Sequence, residues 1–213
     1  MSYPAYTKAE RIADGAIHVL GVAAALVGVT VFFWFWADQM GARTFMATVI
    51  YSIALITMLS ASAAYHLGAY TRARPILRRL DHAAIYMKIA GTFTPLSVFL
   101  GTAFGYVILA VVWILAAFGA YGKLLAERGK MTTGWVPYVA LGWVGVALFI
   151  PLLPILPERS LALILCGGLL YTAGVIFYCW ESLRFANAIW HAFILVGSGC
   201  FFFSISTAIA VAH

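Results

Sequence analysis

Charge is what this chain has least of. Only 9% of its 213 residues are Asp, Glu, Lys or Arg, while 64% are hydrophobic, and the mean hydropathy is +0.99. Soluble domains carry about 25% charged residues, so a water-facing globular surface is excluded and a polytopic membrane protein is expected. Cysteine is nearly as scarce. Cys166, Cys179 and Cys200 lie in apolar stretches without a CxxC pair, which argues against a disulfide framework or a thiolate metal site. A cleavable leader is not visible either, because the first apolar run, residues 16–36, exceeds the roughly 7–15 residues of a signal core. The basic excess, 13 Lys+Arg against 7 Asp+Glu, reads as loop charge that sets orientation, and no nucleic-acid partner is expected.

Long apolar segments are what the chain has in abundance. Charges and Gly/Pro clusters divide it into seven, at residues 14–36, 43–67, 80–100, 106–125, 134–153, 161–180 and 186–212. Each is long enough to cross a hydrocarbon core of about 30 Å at about 1.5 Å per residue. The expectation is one all-α domain over residues 1–213, a bundle of seven transmembrane helices with short connections. With the N-terminus in the cytoplasm, only Arg43 and Arg159 of the 13 Lys and Arg fall outside, and Lys88 lies within the third span. That positive-inside pattern places the N-terminus inside and the C-terminus outside. Pro95, in "AGTFTP", is expected to loosen the third span, and the prolines of "IPLLPILPE" to end the fifth.

The same orientation gathers polar residues at one depth. His18, His66, Asp81, His82 and His191 fall at the cytoplasmic ends of four spans, and only His213 lies elsewhere. A single histidine near a helix end is most often an interfacial residue, but a shared depth weakens independent explanations. Imidazoles and a carboxylate from separate helices suit a zinc ion, and three protein ligands plus water would make the centre catalytic. Ser62 and His66 are four apart on one helix face, so the Ser62 hydroxyl can hold a water or orient His66; it can equally bond back to its own helix. Asp81 and His82 are neighbours, so at most one points well into a shared site. Asn187 and His191 repeat the four-residue spacing. Lys88, seven residues beyond Asp81, is expected to face the bundle interior, pairing with Asp81 through water or snorkelling.

In order and spacing, "SASAAYH", "RRLDHAAIYMKIAGTFTP" and "AIWHAFILVGS", with "ERIADGAIH" in the first span, resemble the signature blocks of the bacterial hemolysin III family. That family belongs to the wider progestin and adiponectin receptor group, and the resemblance covers essentially the whole chain. It implies a multi-pass protein of the bacterial cytoplasmic (inner) membrane with zinc near the cytoplasmic face. The implied ligands are the second-span histidine and a His-x-x-x-His pair on the seventh span, with the third-span aspartate and second-span serine beside the metal-bound water. By position His66 matches the first ligand, His191 the second histidine of the pair, Asp81 the aspartate, Ser62 the serine, and His18 the histidine closing the opening block. The first position of the pair is Asn187, a weak zinc ligand because its amide oxygen is neutral and hard. A further family histidine is Phe201 here.

Three arrangements therefore stay open: two histidines with Asp81 as third ligand, recruitment of His82 or His18, and loss of the metal. The family's similarity to intramembrane ceramidases implies a zinc-dependent hydrolase of a membrane lipid amide or ester. In that reading Asp81 is the general base when it is not a ligand, and Ser62 positions water. The alternative is a non-enzymatic membrane protein with a cytolytic, receptor-like or lipid-homeostasis role, its polar cluster a structural staple; a weaker option is a proton or ion path through Asp81 and Lys88. Membrane lipids are the expected partners.

Overall fold

A computed structural model describes residues 6–126, 134–180 and 182–211. Arg128, Lys130, Ala212 and His213, which enter the expectations above, lie outside the described residues. Helix α1 (Lys8–Trp36) starts at a reciprocal cap. The Glu10 N–H donates to Thr7 Oγ1 (3.3 Å), and the Thr7 N–H donates to Glu10 Oε2 (2.9 Å). A 3-10 turn at Ala37–Gln39 leads to α2 (Ala42–Leu67). Helix α3 (Arg74–Leu100) opens with a proline in its first turn, where a missing N–H costs nothing. It ends at Gly101, whose φ of 64° is the left-handed conformation that glycine adopts freely. The Thr102 hydroxyl, accepting from the Gly105 N–H at 3.2 Å, caps α4 (Ala103–Leu125). Helices α5 (Val136–Trp143), α6 (Val146–Leu152), α7 (Glu158–Cys179) and α8 (Ala186–Val211) follow.

Among the described residues there is no strand, and six helices are long and apolar enough to cross a membrane. Trp34 (84% exposed) and Phe118 (79%) turn outward with many aliphatic neighbours. Such a surface suits acyl chains, not water, and the chain is a multi-pass helical membrane protein. Helices α1 and α3 begin before the apolar runs do, at Lys8 and Arg74 instead of residues 14 and 80. Caps and N-terminal proline set a helix start; hydrophobicity does not.

The fifth apolar stretch also departs from expectation. It is two short helices, α5 and α6, interrupted at residues 144–145. The Gly145 N–H donates to the Gly142 carbonyl (3.0 Å), a tight turn in place of helical bonding. A side chain on Gly145 would meet the Phe93 ring of α3 at 3.2 Å, so this turn packs where only glycine fits comfortably. Pro95, by contrast, leaves α3 continuous. The Thr94 hydroxyl donates to the Ala90 carbonyl (3.0 Å) and accepts from Trp113 Nε1 of α4 (3.1 Å), so neighbours hold the turn that the proline weakens.

Helix α3 is the central element: 72% of its most apolar stretch is buried, against 17% for α1. One core joins α3 and α4 to α5 and α6 through Tyr86, Phe93, Val112, Leu141, Leu148 and Leu152. A second joins α1, α2 and α8 through Phe32, Tyr51, Leu55, Met58, Ile205 and Ile209. Helix α7 lies close on α8, where a Cβ on Gly167 would stand 3.1 Å from the Gly197 carbonyl. Ser160 and Ser204 there each donate to the other's carbonyl (3.0 and 2.8 Å). Small residues and reciprocal hydroxyl bonds are how apolar helices associate when lipid offers no hydrophobic drive. The bundle thus presents one basic end, where α1, α3 and α8 begin and α2 finishes.

Tight packing of α2 on α3 is directly testable. A Cβ at Gly91 would lie 2.6 Å from the Ala54 Cβ, whereas one at Gly122 meets nothing within 4 Å. Alanine favours a helix by about 1 kcal/mol over glycine, but overpacking costs about 1–3 kcal/mol. Gly91→Ala is expected to lower the melting temperature in detergent, and Gly122→Ala to leave it unchanged or raise it. Equal responses would contradict the close α2–α3 approach.

Candidate metal centre

At the basic end, α1 supplies Asp14 and His18 on one face, α2 ends with His66, and α8 brings His191 in its second turn. One ligand atom from each of these four residues lies within 4.8 Å of all the others. The imidazoles form a triangle with ring centroids 4.4–4.8 Å apart. The Asp14 carboxylate sits against it: Oδ1 is 2.7 Å from His191 Nδ1, and Oδ2 is 3.2 Å from His66 Nδ1. His18 Nε2 stands 3.7 Å from the same carboxylate. A carboxylate within hydrogen-bond distance of two ring nitrogens fixes the orientation of both imidazoles.

The set fits zinc on its own chemistry. Three imidazoles and one carboxylate from three helices are borderline-soft donors of the kind zinc takes. His18 Nε2 is buried without a hydrogen-bond partner, which is costly for a ring nitrogen unless something binds it. Donors on a tetrahedral ion at about 2.0–2.1 Å stand roughly 3.3 Å apart, so an ion would draw the set inward. Above it lies a cavity of about 190 Å³, lined by Tyr6, Glu10, Arg11, Asp14, His66, Tyr70, Phe185 and Asn187 among others. Of the set, Asp14 and His66 line this opening.

The expected site residues separate into four groups. His66, His191 and His18 come together. Asn187 sits at the edge, its Nδ2 3.4 Å from His66 Nδ1, at the limit of hydrogen-bonding range. Asp81 and Ser62 lie beside the set rather than in it: both are buried, Ser62 hydrogen-bonds the Asp81 carboxylate, and Asp81 is within electrostatic reach of His66 and Asp14. His82 is not brought in, because it occupies another face of α3, with Nδ1 3.1 Å from the Tyr138 hydroxyl of α5. Lys88 is buried and does face the interior, as expected. Its hydrogen-bond partner is the Tyr171 hydroxyl, which lies 2.8 Å from Ser198 Oγ. Asp14 was not anticipated. Its signal was the four-residue spacing to His18, the same spacing that links Ser62 to His66 and Asn187 to His191.

A family model described as "Haemolysin-III related" matches residues 6–202. The chain is 32% identical to the "Hemolysin-3 homolog" of Bacillus subtilis (strain 168) over 202 residues, covering 94% of each chain. It is 32% identical to "Hemolysin-3" of Bacillus cereus over 197 residues, 92% of this chain and 90% of the relative. The "Monocyte to macrophage differentiation factor" of Homo sapiens is 26% identical over 170 residues, 73% of this chain and 67% of that protein.

The geometry separates members of the set from neighbours. His18→Ala and Asp14→Ala are each expected to weaken zinc binding by about 10–100-fold or more, measured by chelator competition on purified protein. His82→Ala, which faces Tyr138, is expected to bind as the parent does. Tight binding by the His18 variant would remove His18 from the set.

Proposed function

The chain belongs to the haemolysin-III-related family, and from that membership together with the imidazole triangle we propose a zinc-dependent hydrolase acting on an amide or ester of a membrane lipid. One observation carries the reading: three imidazoles from three helices, two of them hydrogen-bonded to one buried carboxylate and the third with a buried Nε2 that has no hydrogen-bond partner, beside a cavity that Asp14 and His66 line. Seven crossings in a single bundle, with α5–α6 as the fifth, set the basic end in the cytoplasm of a bacterial inner membrane. Support comes from Lys8, Arg11, Arg78 and Arg184, which all fall at that end. The cavity then opens toward the cytoplasmic headgroup layer, where the amide or ester of a lipid lies.

His18, His66 and His191 would hold the ion in this reading, with Asp14 an orienting group, not a donor, that keeps the rings of His66 and His191 in register. Three protein donors leave a coordination position open, which distinguishes catalytic from structural zinc. The chemistry that a bound zinc ion supplies is Lewis acidity, which acidifies water toward a pKa of about 7 and polarises a carbonyl oxygen. Asp81 is the general base, taking a proton from water and returning it to the departing amine or alcohol. Ser62, hydrogen-bonded to that carboxylate, holds it toward the set. Burial of both residues excludes bulk water from the proton transfer.

A second reading is favoured by the Asp14 contacts themselves. They join α1 to α2 and α8 whether or not an ion is present, as a staple would in a non-enzymatic membrane protein with a cytolytic, receptor-like or lipid-homeostasis role. Turnover decides between the two. Zinc-loaded protein in nanodiscs is expected to release fatty acid from a labelled lipid amide or ester. Asp81→Asn is expected to lower that rate by about 10²–10⁴-fold while zinc stays stoichiometric. Stoichiometric zinc without any release across amide and ester lipids would leave the staple reading standing.

A further inference from the structure

Glu10 has no part in the donor set or in the proposed proton transfer, yet its carboxylate joins two helix starts. Oε2 accepts from the Thr7 N–H (2.9 Å) and the Thr7 hydroxyl (2.7 Å), and Oε1 accepts from the Phe185 N–H (3.2 Å). Phe185 immediately precedes α8 and has a φ of 63°, the positive-φ non-glycine residue among those described. An L side chain is disfavoured in that left-handed region, so such a residue persists only where its surroundings hold it. The Glu10 carboxylate supplies that hold on the backbone. The Arg184 guanidinium, 4.8 Å from the centre of the Phe185 ring, adds a contact to the side chain.

Spacing connects this junction to the metal set. Glu10, Asp14 and His18 follow at four-residue intervals along one face of α1. Phe185 launches α8, its carbonyl accepting from the Ile189 N–H (2.9 Å), and His191 follows in the next turn. The conformation of Phe185 sets the direction in which α8 leaves, and the bond to Glu10 ties that direction to α1. Asp14 Oδ1 and His191 Nδ1 then meet at 2.7 Å. Glu10, Asp14, Phe185 and Asn187 also line one cavity, so the junction stands at the mouth of the set.

We infer that Glu10 is a positioning residue, a latch between α1 and the strained turn at Phe185 that registers Asp14 and His18 against His191. Its effect on metal rests on the proposed reading of the set as a zinc site; its effect on helix register does not. Glu10 also belongs to the cap of α1, and the test must separate latch from cap.

The experiment compares full-length variants in detergent by chelator competition for zinc and, in metal-free protein, by the distance between spin labels at Ala9 and Ser182 in a cysteine-free background. Glu10→Ala is expected to weaken zinc about 10–100-fold and to broaden the distance distribution, whereas Thr7→Ala, which loses the cap but keeps the bond to Phe185, shifts affinity less than about threefold. Glycine takes a positive φ without strain, so Phe185→Gly in the Glu10→Ala background is expected to recover most of the lost affinity and narrow the distribution. Glu10→Asp, whose shorter side chain keeps a carboxylate in the first turn of α1 but withdraws it from the Phe185 N–H, serves if the alanine variant does not fold, and is expected to weaken zinc and broaden the distance in the same direction. A Glu10→Ala protein with parental affinity and distance overturns the latch, as does a Thr7→Ala protein that reproduces its defects. Absence of zinc from the parent protein would sink the hydrolase reading instead, and the spin-label distances would then decide the latch alone.

Discussion

The contact between the Asp14 carboxylate and the imidazoles around it governs the basic end of this bundle. A carboxylate among apolar helices keeps its charge only if paired and hydrogen-bonded, because an isolated one is far too costly to desolvate. Here it is met from α2 by His66 and from α8 by His191, at 3.2 and 2.7 Å. Leaving a buried acceptor without one of its hydrogen-bond donors costs about 1–3 kcal/mol, and more for a charged group, so the three helix ends are not free to drift apart. The location of the turns follows from that demand. Helix α2 must stop just after His66, which it does at Gly68, and α8 must start close enough to α1 for His191 to arrive within two turns.

A second polar tie sits two turns deeper and repeats the logic with different chemistry. Lys88 follows Asp81 by seven residues on α3, and Ser198 follows His191 by seven on α8, so the faces that present the site residues also present this pair. Tyr171 of α7 bridges them through its hydroxyl. Its ring and that of Phe201 flank the amine at 4.3 and 5.0 Å. The packing of α3 is otherwise chiefly with α2 and α4, so the bridge links the side of the bundle carrying Asp81 to the side carrying His191.

Much of this was legible in the sequence, for a physical reason. Lipid forbids unsatisfied backbone, so spans must be helices, and loop charge can be read as orientation. That His18, His66 and His191 share one depth was legible, although Asp81 was the third ligand expected first and His18 only an alternative. Depth says nothing about azimuth, however. His82 shares the level of Asp81 but lies about 100° around α3 and meets Tyr138. Asp14 escaped notice because it opened the first apolar run, where a carboxylate reads as a boundary; the capped helix begins at Lys8 and carries Asp14 inward. The interruption of the fifth stretch escaped because hydropathy cannot see a glycine turn packed on Phe93.

Asn187 then acquires a different meaning. A His-x-x-x-His pair on one helix would let α8 supply two donors and leave α1 with a supporting role. With Asn187 at the first of those positions, the third imidazole comes from α1, together with the carboxylate that orients the other rings. The donors are thereby spread over three helices instead of two. A site built on one helix inherits its geometry from the rigid 3.6-residue repeat, but a site spread over three depends on how those helices sit against each other. That dependence gives the Glu10 bond to Phe185 its importance. With His18 and Asp14 in the set, the register of α1 against α8 becomes part of the geometry of the candidate metal centre, and the residues fixing that register matter as much as the side chains they align.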